Sequence, residues 1–178
     1  MTEQLFFDTD CFSAFLWVKQ EQILLDLYPG RIILPQEVFI ELSNPSIPHL
    51  QSKVTALRSS GAIMTQPILV NTEEYQLYHQ IAVSPPSGRT IIGKGEAAAL
   101  VLAKVYGGII ASNNLKDICQ YLKKYQLNYL TTGGILVSAL KAGLINEATG
   151  DQIWSKMLSK RRFLPTASFL DYLKTVQS

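Results

Sequence analysis

The chain has 178 residues, 47% of them hydrophobic, with 16 basic and 14 acidic side chains for a net charge of +2. That length fits one domain able to bury about two-thirds of its unfolded surface, and a charged fraction of only 17% excludes disorder or a polyelectrolyte tail as the main theme. The two cysteines, Cys11 and Cys119, lie in apolar runs and exclude a dense disulfide framework, which points to a reducing, cytoplasmic setting. No secretory-signal pattern opens the sequence. The longest apolar tract, 97–111, is broken by Lys104 and two glycines, which argues against a membrane span.

In chain order, residues 4–7 read as a short buried strand, and Thr9 or Asp10 is placed to cap a helix through residue 18. A helical pattern over 22–28 stops at Pro29-Gly30. Residues 31–34 form a second strand, after which Pro35 suits the first turn of a helix to about residue 42. An amphipathic helix over 47–59 ends before Gly61, a strand follows near 62–65, and Asn71 is the expected cap of a helix to about residue 81. The stretch 84–90, with Pro85, Pro86 and Gly88, is the clearest loop. Residues 94–106 predict a helix rich in Ala and Leu, 108–111 a strand, 112–114 a turn and 115–124 a helix. A strand over 127–130 and a helix over 134–142, closed by Gly143, come next. Two final helices, 148–162 and 167–176, are separated by Pro165, and their apolar residues are read as core packing rather than a partner groove. Strands alternating with helices predict an α/β fold in three layers, its mainly parallel central sheet covered on both faces.

The scarce charges are unevenly placed. Residues 1–50 hold seven acids against Lys19 and Arg31, a net of −5, leaving +7 for the remainder. Asp8 and Asp10 sit between apolar runs and Glu41 ends one, positions where a carboxylate risks costly desolvation. In open α/β sheets ligand sites lie beyond the carboxyl ends of strands. Asp8-Thr9-Asp10, Ser112-Asn113-Asn114 and Thr131-Thr132 all fall at such ends, and Glu96 falls in the first turn of its helix, where the macrodipole favours an anion. Asp8, Glu41 and Glu96, with Asn114 and Asp117 as further oxygen donors, are hard ligands suited to Mg²⁺ or Mn²⁺.

Competing motifs fail on particular residues. Gly88 to Gly95 carries most of a phosphate-binding P-loop, but Gly95 replaces the hydroxyl that would hold magnesium, and no buried strand precedes it. Asp8-Thr9-Asp10 resembles the opening of haloacid-dehalogenase-type phosphatases, yet Phe12 breaks that pattern and Asp151 stands alone where a late acidic pair is needed. His49, His79 and the cysteines lack zinc-ligand spacing.

Five segments, in order, resemble the PIN domain over residues 4–145: Phe6-Phe7-Asp8-Thr9; Glu41 after an apolar helical run; Gly93-Lys94-Gly95-Glu96-Ala97-Ala98-Ala99-Leu100; Ile109-Ile110-Ala111-Ser112-Asn113-Asn114; and Thr131-Thr132-Gly133-Gly134-Ile135-Leu136. The resemblance implies a PIN-like domain over 1–147, with a C-terminal helical extension over 148–178 packed on it, and a ribonuclease dependent on Mg²⁺ or Mn²⁺. By position, Asp8, Glu41, Glu96, Asn114 and Asp117 carry catalysis. Asp8, Glu96 and Asn114 hold the metal, while Thr9, Asp10, Ser112 and Asn113 support them. Many relatives have an Asp in the turn that here offers only Asn113 and Asn114. Toxin-type relatives often show Asn there with an acid three residues on, here Asp117. Arg89, Lys94 and Lys116 flank the expected pocket as phosphate contacts. The expected function is an endoribonuclease acting on RNA, in one setting the toxin of a toxin–antitoxin pair with an antitoxin protein or a second copy of itself as partner. The alternative is a PIN-like module with weakened catalysis that binds RNA or protein.

Overall fold

A computed structural model describes residues 3–85 and 91–177. Five short strands, β1 (Leu5–Phe7), β2 (Ile32–Pro35), β3 (Met64–Gln66), β4 (Ile109–Ala111) and β5 (Tyr129–Leu130), form one sheet in the order β3-β2-β1-β4-β5. Every neighbouring pair is parallel, and Leu5 lies opposite both Ile32 and Ile109. Because successive strand residues point to opposite faces, Leu5, Phe7, Ile32, Leu34 and Ala111 enter one core while Phe6, Ile33 and Ile110 enter the other. Both faces being apolar, helices must cover both, which accounts for the continuous rather than alternating hydrophobic runs of these strands.

The helices are α1 (Thr9–Trp17), α2 (Glu21–Leu27), α3 (Gln36–Leu42), α4 (Pro48–Ser59), α5 (Glu73–Tyr78), α6 (Lys94–Tyr106), α7 (Leu115–Tyr125), α8 (Thr132–Lys141), α9 (Glu147–Ser159) and α10 (Phe169–Gln177). The first core collects α1 to α4 and α8 to α10; the second is built on α6, α7 and Ile81. Ala97 to Ala103 of α6 are all buried, and Gly107 closes that helix in the left-handed conformation at φ 70°. Among the described residues no helix is long and apolar enough to cross a membrane.

Four helix starts differ from expectation, each for a local reason. Asp8, not Thr9 or Asp10, caps α1: β1 ends at Phe7, so the single extended residue between strand and helix is Asp8, whose carboxylate accepts the Cys11 amide at 2.7 Å. Thr72, not Asn71, caps α5, because Asn71 takes the left-handed turn at φ 66° and leaves Thr72 extended beside the Tyr75 amide. That helix then runs on as a π-turn over His79–Val83 around the buried Ile81. Helix α8 starts at Thr132, two residues early, with Thr131 accepting the Gly134 amide at 3.1 Å. Pro35 ends β2 and precedes α3 rather than opening it.

The last two helices belong to the first core. Trp154, Met157 and Phe169 are fully buried, and the Trp154 indole donates to the Thr166 carbonyl at 3.0 Å. Asp151 accepts the Phe169 amide at 2.9 Å and so ties the start of α10 to α9. A β-carbon on Gly150 would lie 2.5 Å from the Phe169 ring, and one on Gly133 would lie 2.5 Å from the Tyr172 ring, so two glycines let α10 seat against α9 and α8. Phe169→Ala should lower stability by about 3–5 kcal/mol, read as a shift in the denaturant midpoint; an unchanged midpoint would show that α10 does not stabilise the domain.

Candidate functional site

The chain passes from β1 to β2 to β3 outward along one side of the sheet, then returns across it to β4 and β5. The direction of winding changes between β1 and β4, and a crevice opens beyond the carboxyl ends of strands at such a point. The strand pairing aligns Phe7 with Ala111, and the Asp8 amide donates to the Ala111 carbonyl at 2.9 Å. Asp8 and the Ser112 turn are thereby brought side by side.

A cavity of about 290 Å³ fills the crevice, lined by Asp8, Thr9, Asp10, Glu41, Gly93, Gly95, Glu96 and Asn114. Asp8 is 4% exposed. Glu96, half-buried, accepts from the Ser112 hydroxyl at 3.3 Å and from the Asn114 side-chain amide at 3.4 Å. The same Asn114 amide donates to Asp117 at 2.7 Å, and the Ser112 hydroxyl accepts the Asn114 backbone amide at 3.2 Å. Across the pocket the Thr9 hydroxyl donates to Glu41. Asn113 turns away from the cavity lining: its amide oxygen accepts the Thr132 backbone amide and its nitrogen donates to the Thr132 hydroxyl, both at 2.9 Å, which fixes the turn to the start of α8.

Burial pushes the Asp8 carboxyl up to about 7, with the charges of Asp10 and Glu41 adding to the rise and hydrogen bonds from Ser112 and the Cys11 amide opposing it. Burial pushes Glu96 up to about 8, reinforced by the charges of Asp8 and Asp117. Among the described residues no lysine, arginine or histidine pairs with Asp8, Glu41, Glu96 or Asp117. Crowded carboxylates without a cation partner are the environment a divalent cation relieves. Among the same residues no three His, Cys, Asp or Glu side chains gather closely enough to hold an ion by themselves. Asp8 and Glu96, with a neutral oxygen such as that of Asn114, are residues that could hold a cation here. The donor set fits Mg²⁺ or Mn²⁺ in kind, at low formal charge.

The residues singled out from sequence thus fall into groups. Asp8, Thr9, Asp10, Glu41, Glu96 and Asn114 line one cavity; Ser112 and Asp117 reach it through Glu96 and Asn114; Asn113 braces the turn. Lys94 is exposed in the first turn of α6, Lys116 lines a neighbouring cavity, and Arg89 lies outside the described residues. Two contributors were not legible from sequence. Arg162, in the connection between α9 and α10, reaches Asp10 at 3.9 Å and stacks over Trp17, so the C-terminal segment braces a residue of the cavity lining. Gly95, quoted only within a motif, is required by contact: a β-carbon there would lie 2.8 Å from the Thr9 hydroxyl, 3.0 Å from Val38 and 3.3 Å from Glu41.

A parallel sheet between two helical layers, with acids and amides converging at its switch point, defines an α/β/α domain of PIN-like class. The family model DUF3368, described as a PIN domain, matches residues 4–178, and the chain belongs to the PIN-domain family, whose members are nuclease-type modules. The match runs past residue 145 and takes in α9 and α10. No curated protein matches the chain.

Both site carboxyls have folded-state values above their ordinary ones, so folding favours their protonated forms. In metal-free buffer their contribution should be fully favourable below about pH 4 and should be lost as pH rises from there to about 8. Asp8→Asn should flatten that decline in thermal melts, and saturating Mn²⁺ should flatten it for the native protein; a stability that instead rises steadily over this range would contradict the electrostatics. Gly95→Ala gains at most about 1 kcal/mol of helix propensity against roughly 1–3 kcal/mol of overpacking, so denaturant unfolding should show a net loss.

Proposed function

We propose that this protein is a metal-dependent endoribonuclease that cleaves phosphodiester bonds of RNA at the crevice between β1 and β4. The observation that carries the proposal is the pairing of Asp8 and Glu96, two carboxylates crowded in a desolvated pocket with no cationic partner among the described residues. Asp8, Glu96 and Asn114 are the residues that would hold Mg²⁺ or Mn²⁺, which when bound lowers the pKa of a coordinated water and offsets charge developing on the phosphate. Thr9 fixes the Glu41 carboxylate on the opposite wall, where Glu41 can orient a water and take its proton. Asn114, whose side-chain amide donates to both Glu96 and Asp117, bridges those acids and helps hold Glu96 at the cavity. Ser112 and Asn113 hold the turn, and Asp10, tied to Arg162, closes one side. Lys94 and Lys116, exposed in the first turns of α6 and α7, supply positive charge for the RNA backbone, a role also proposed for Arg89. A cytoplasmic location suits an RNA substrate and two free cysteines. In the setting of a toxin–antitoxin pair, the partners would be a protein antitoxin encoded beside it and a second copy of the chain.

A second reading rests on the amide turn. With Asn113 and Asn114 where a third acid would strengthen metal binding, the domain would bind RNA or protein with little catalysis. Calorimetry showing no Mg²⁺ or Mn²⁺ binding, with RNA affinity retained, would favour that reading. On the nuclease reading, Asp8→Asn and Glu96→Gln should each abolish Mn²⁺-dependent RNA cleavage with the fold intact, since Asn still caps α1. Full cleavage by either variant would overturn the mechanism.

A further inference from the structure

Beside the acidic pocket lies a second cavity of about 440 Å³ with walls of a different kind: Leu115, Phe163, Pro165 and Tyr172 are apolar, and Lys116 is its cation. Asn114 lines both cavities, so the two are contiguous. Phe163 is 75% exposed. A lone exposed phenylalanine is ordinary, but this one is held out by a tightly bonded segment. The Arg162 amide donates to the Met157 carbonyl at 3.0 Å, the next residue Leu164 is buried, and the Thr166 carbonyl is fixed by Trp154. Tyr172 is equally set in place, with its ring on Gly133 and 5.2 Å from the Trp154 ring and its hydroxyl 3.4 Å from that of Thr131. The expectation that the apolar residues of the last helices mean core packing therefore holds for Trp154, Met157 and Phe169 but not for Phe163, nor for Leu170, which is 41% exposed.

We infer that this cavity is a nucleobase subsite: it takes one unstacked base of a single-stranded RNA, stacked on Phe163, while Lys116 contacts a flanking phosphate. The inference rests on the nuclease reading of the adjoining pocket. The volume is within the range of small-ligand sites, which combine apolar walls with a few polar groups. An apolar, aromatic slot sharing a wall with an acidic centre and carrying a lysine matches the alternation of base and phosphate along a strand. A base inside a duplex is already stacked and cannot enter, so the site selects loops and single strands.

The test is fluorescence anisotropy of the full chain in EDTA, where cleavage is silent, with a labelled single-stranded oligoribonucleotide of about ten nucleotides and a set carrying one abasic position each. Phe163→Ala should weaken binding about tenfold, the scale of one lost base–aromatic stack, and Phe163→Trp should restore it. One abasic position should cost the native protein a similar factor and cost Phe163→Ala nothing further. Equal affinity of Phe163→Ala and the native protein for the intact strand overturns the subsite, as does an absence of RNA binding altogether. A change in oligomeric state on Phe163→Ala with RNA affinity unchanged overturns it too, and reassigns the cavity to a protein contact. Metal-dependent cleavage by the native protein, assayed separately, tells failure of the subsite from failure of the nuclease reading: cleavage with no effect at Phe163 removes only the former.

Discussion

Holding the Asp8 carboxyl where water is scarce and other acids are near, so that its charged form is disfavoured, is the constraint around which the pocket is arranged. It caps α1 through the Cys11 amide, takes its backbone position from β4, and faces Asp10 and Glu41 without a neutralising side chain among the described residues. Glu96 is brought up to it on the first turn of a helix buried from Ala97 to Ala103, which cannot shift to relieve the repulsion without opening the second core. Two carboxylates held together in this way store an electrostatic cost that a hard cation would offset, and the fold places that cost where β1 and β4 diverge.

The approach of α6 to α1 and α3 depends on a missing methyl group. At Gly95 the Thr9 hydroxyl, Val38 and Glu41 all come within 3.3 Å of where a β-carbon would lie. Gly95 lies in the first turn of that helix, ahead of the fully buried run from Ala97 to Ala103. The helix-forming cost of a glycine there secures a short path between the two acids and the Thr9–Glu41 pair.

The C-terminal helices act on the pocket through a chain of contacts rather than by proximity alone. Helix α10 seats Tyr172 on Gly133, which helps fix the start of α8; Thr132 there is doubly bonded to Asn113; and Asn113 precedes the Asn114 that holds Glu96. Arg162 adds a direct contact to Asp10. The helices that a minimal reading of the fold leaves as an extension thus brace two of the pocket's walls.

What the sequence determined by itself was whatever local chemistry controls. Period and composition located the strands to within a residue or two, the helix over 94–106 to the residue, and the parallel three-layer fold, because β1 and β4 are apolar on both faces and α6 is buried nearly all round. The acids at strand ends were legible for the same reason: a carboxylate beside an apolar run is conspicuous in a chain with 14 of them. Only the tertiary structure decided the rest. Which of three neighbouring polar residues caps α1 depends on where β1 stops pairing, the need for Gly95 on helices far away in sequence, and the exposure of Phe163 against the burial of Trp154 on how α9 and α10 close on the core. These are facts of packing between distant segments, which periodicity along one segment does not encode.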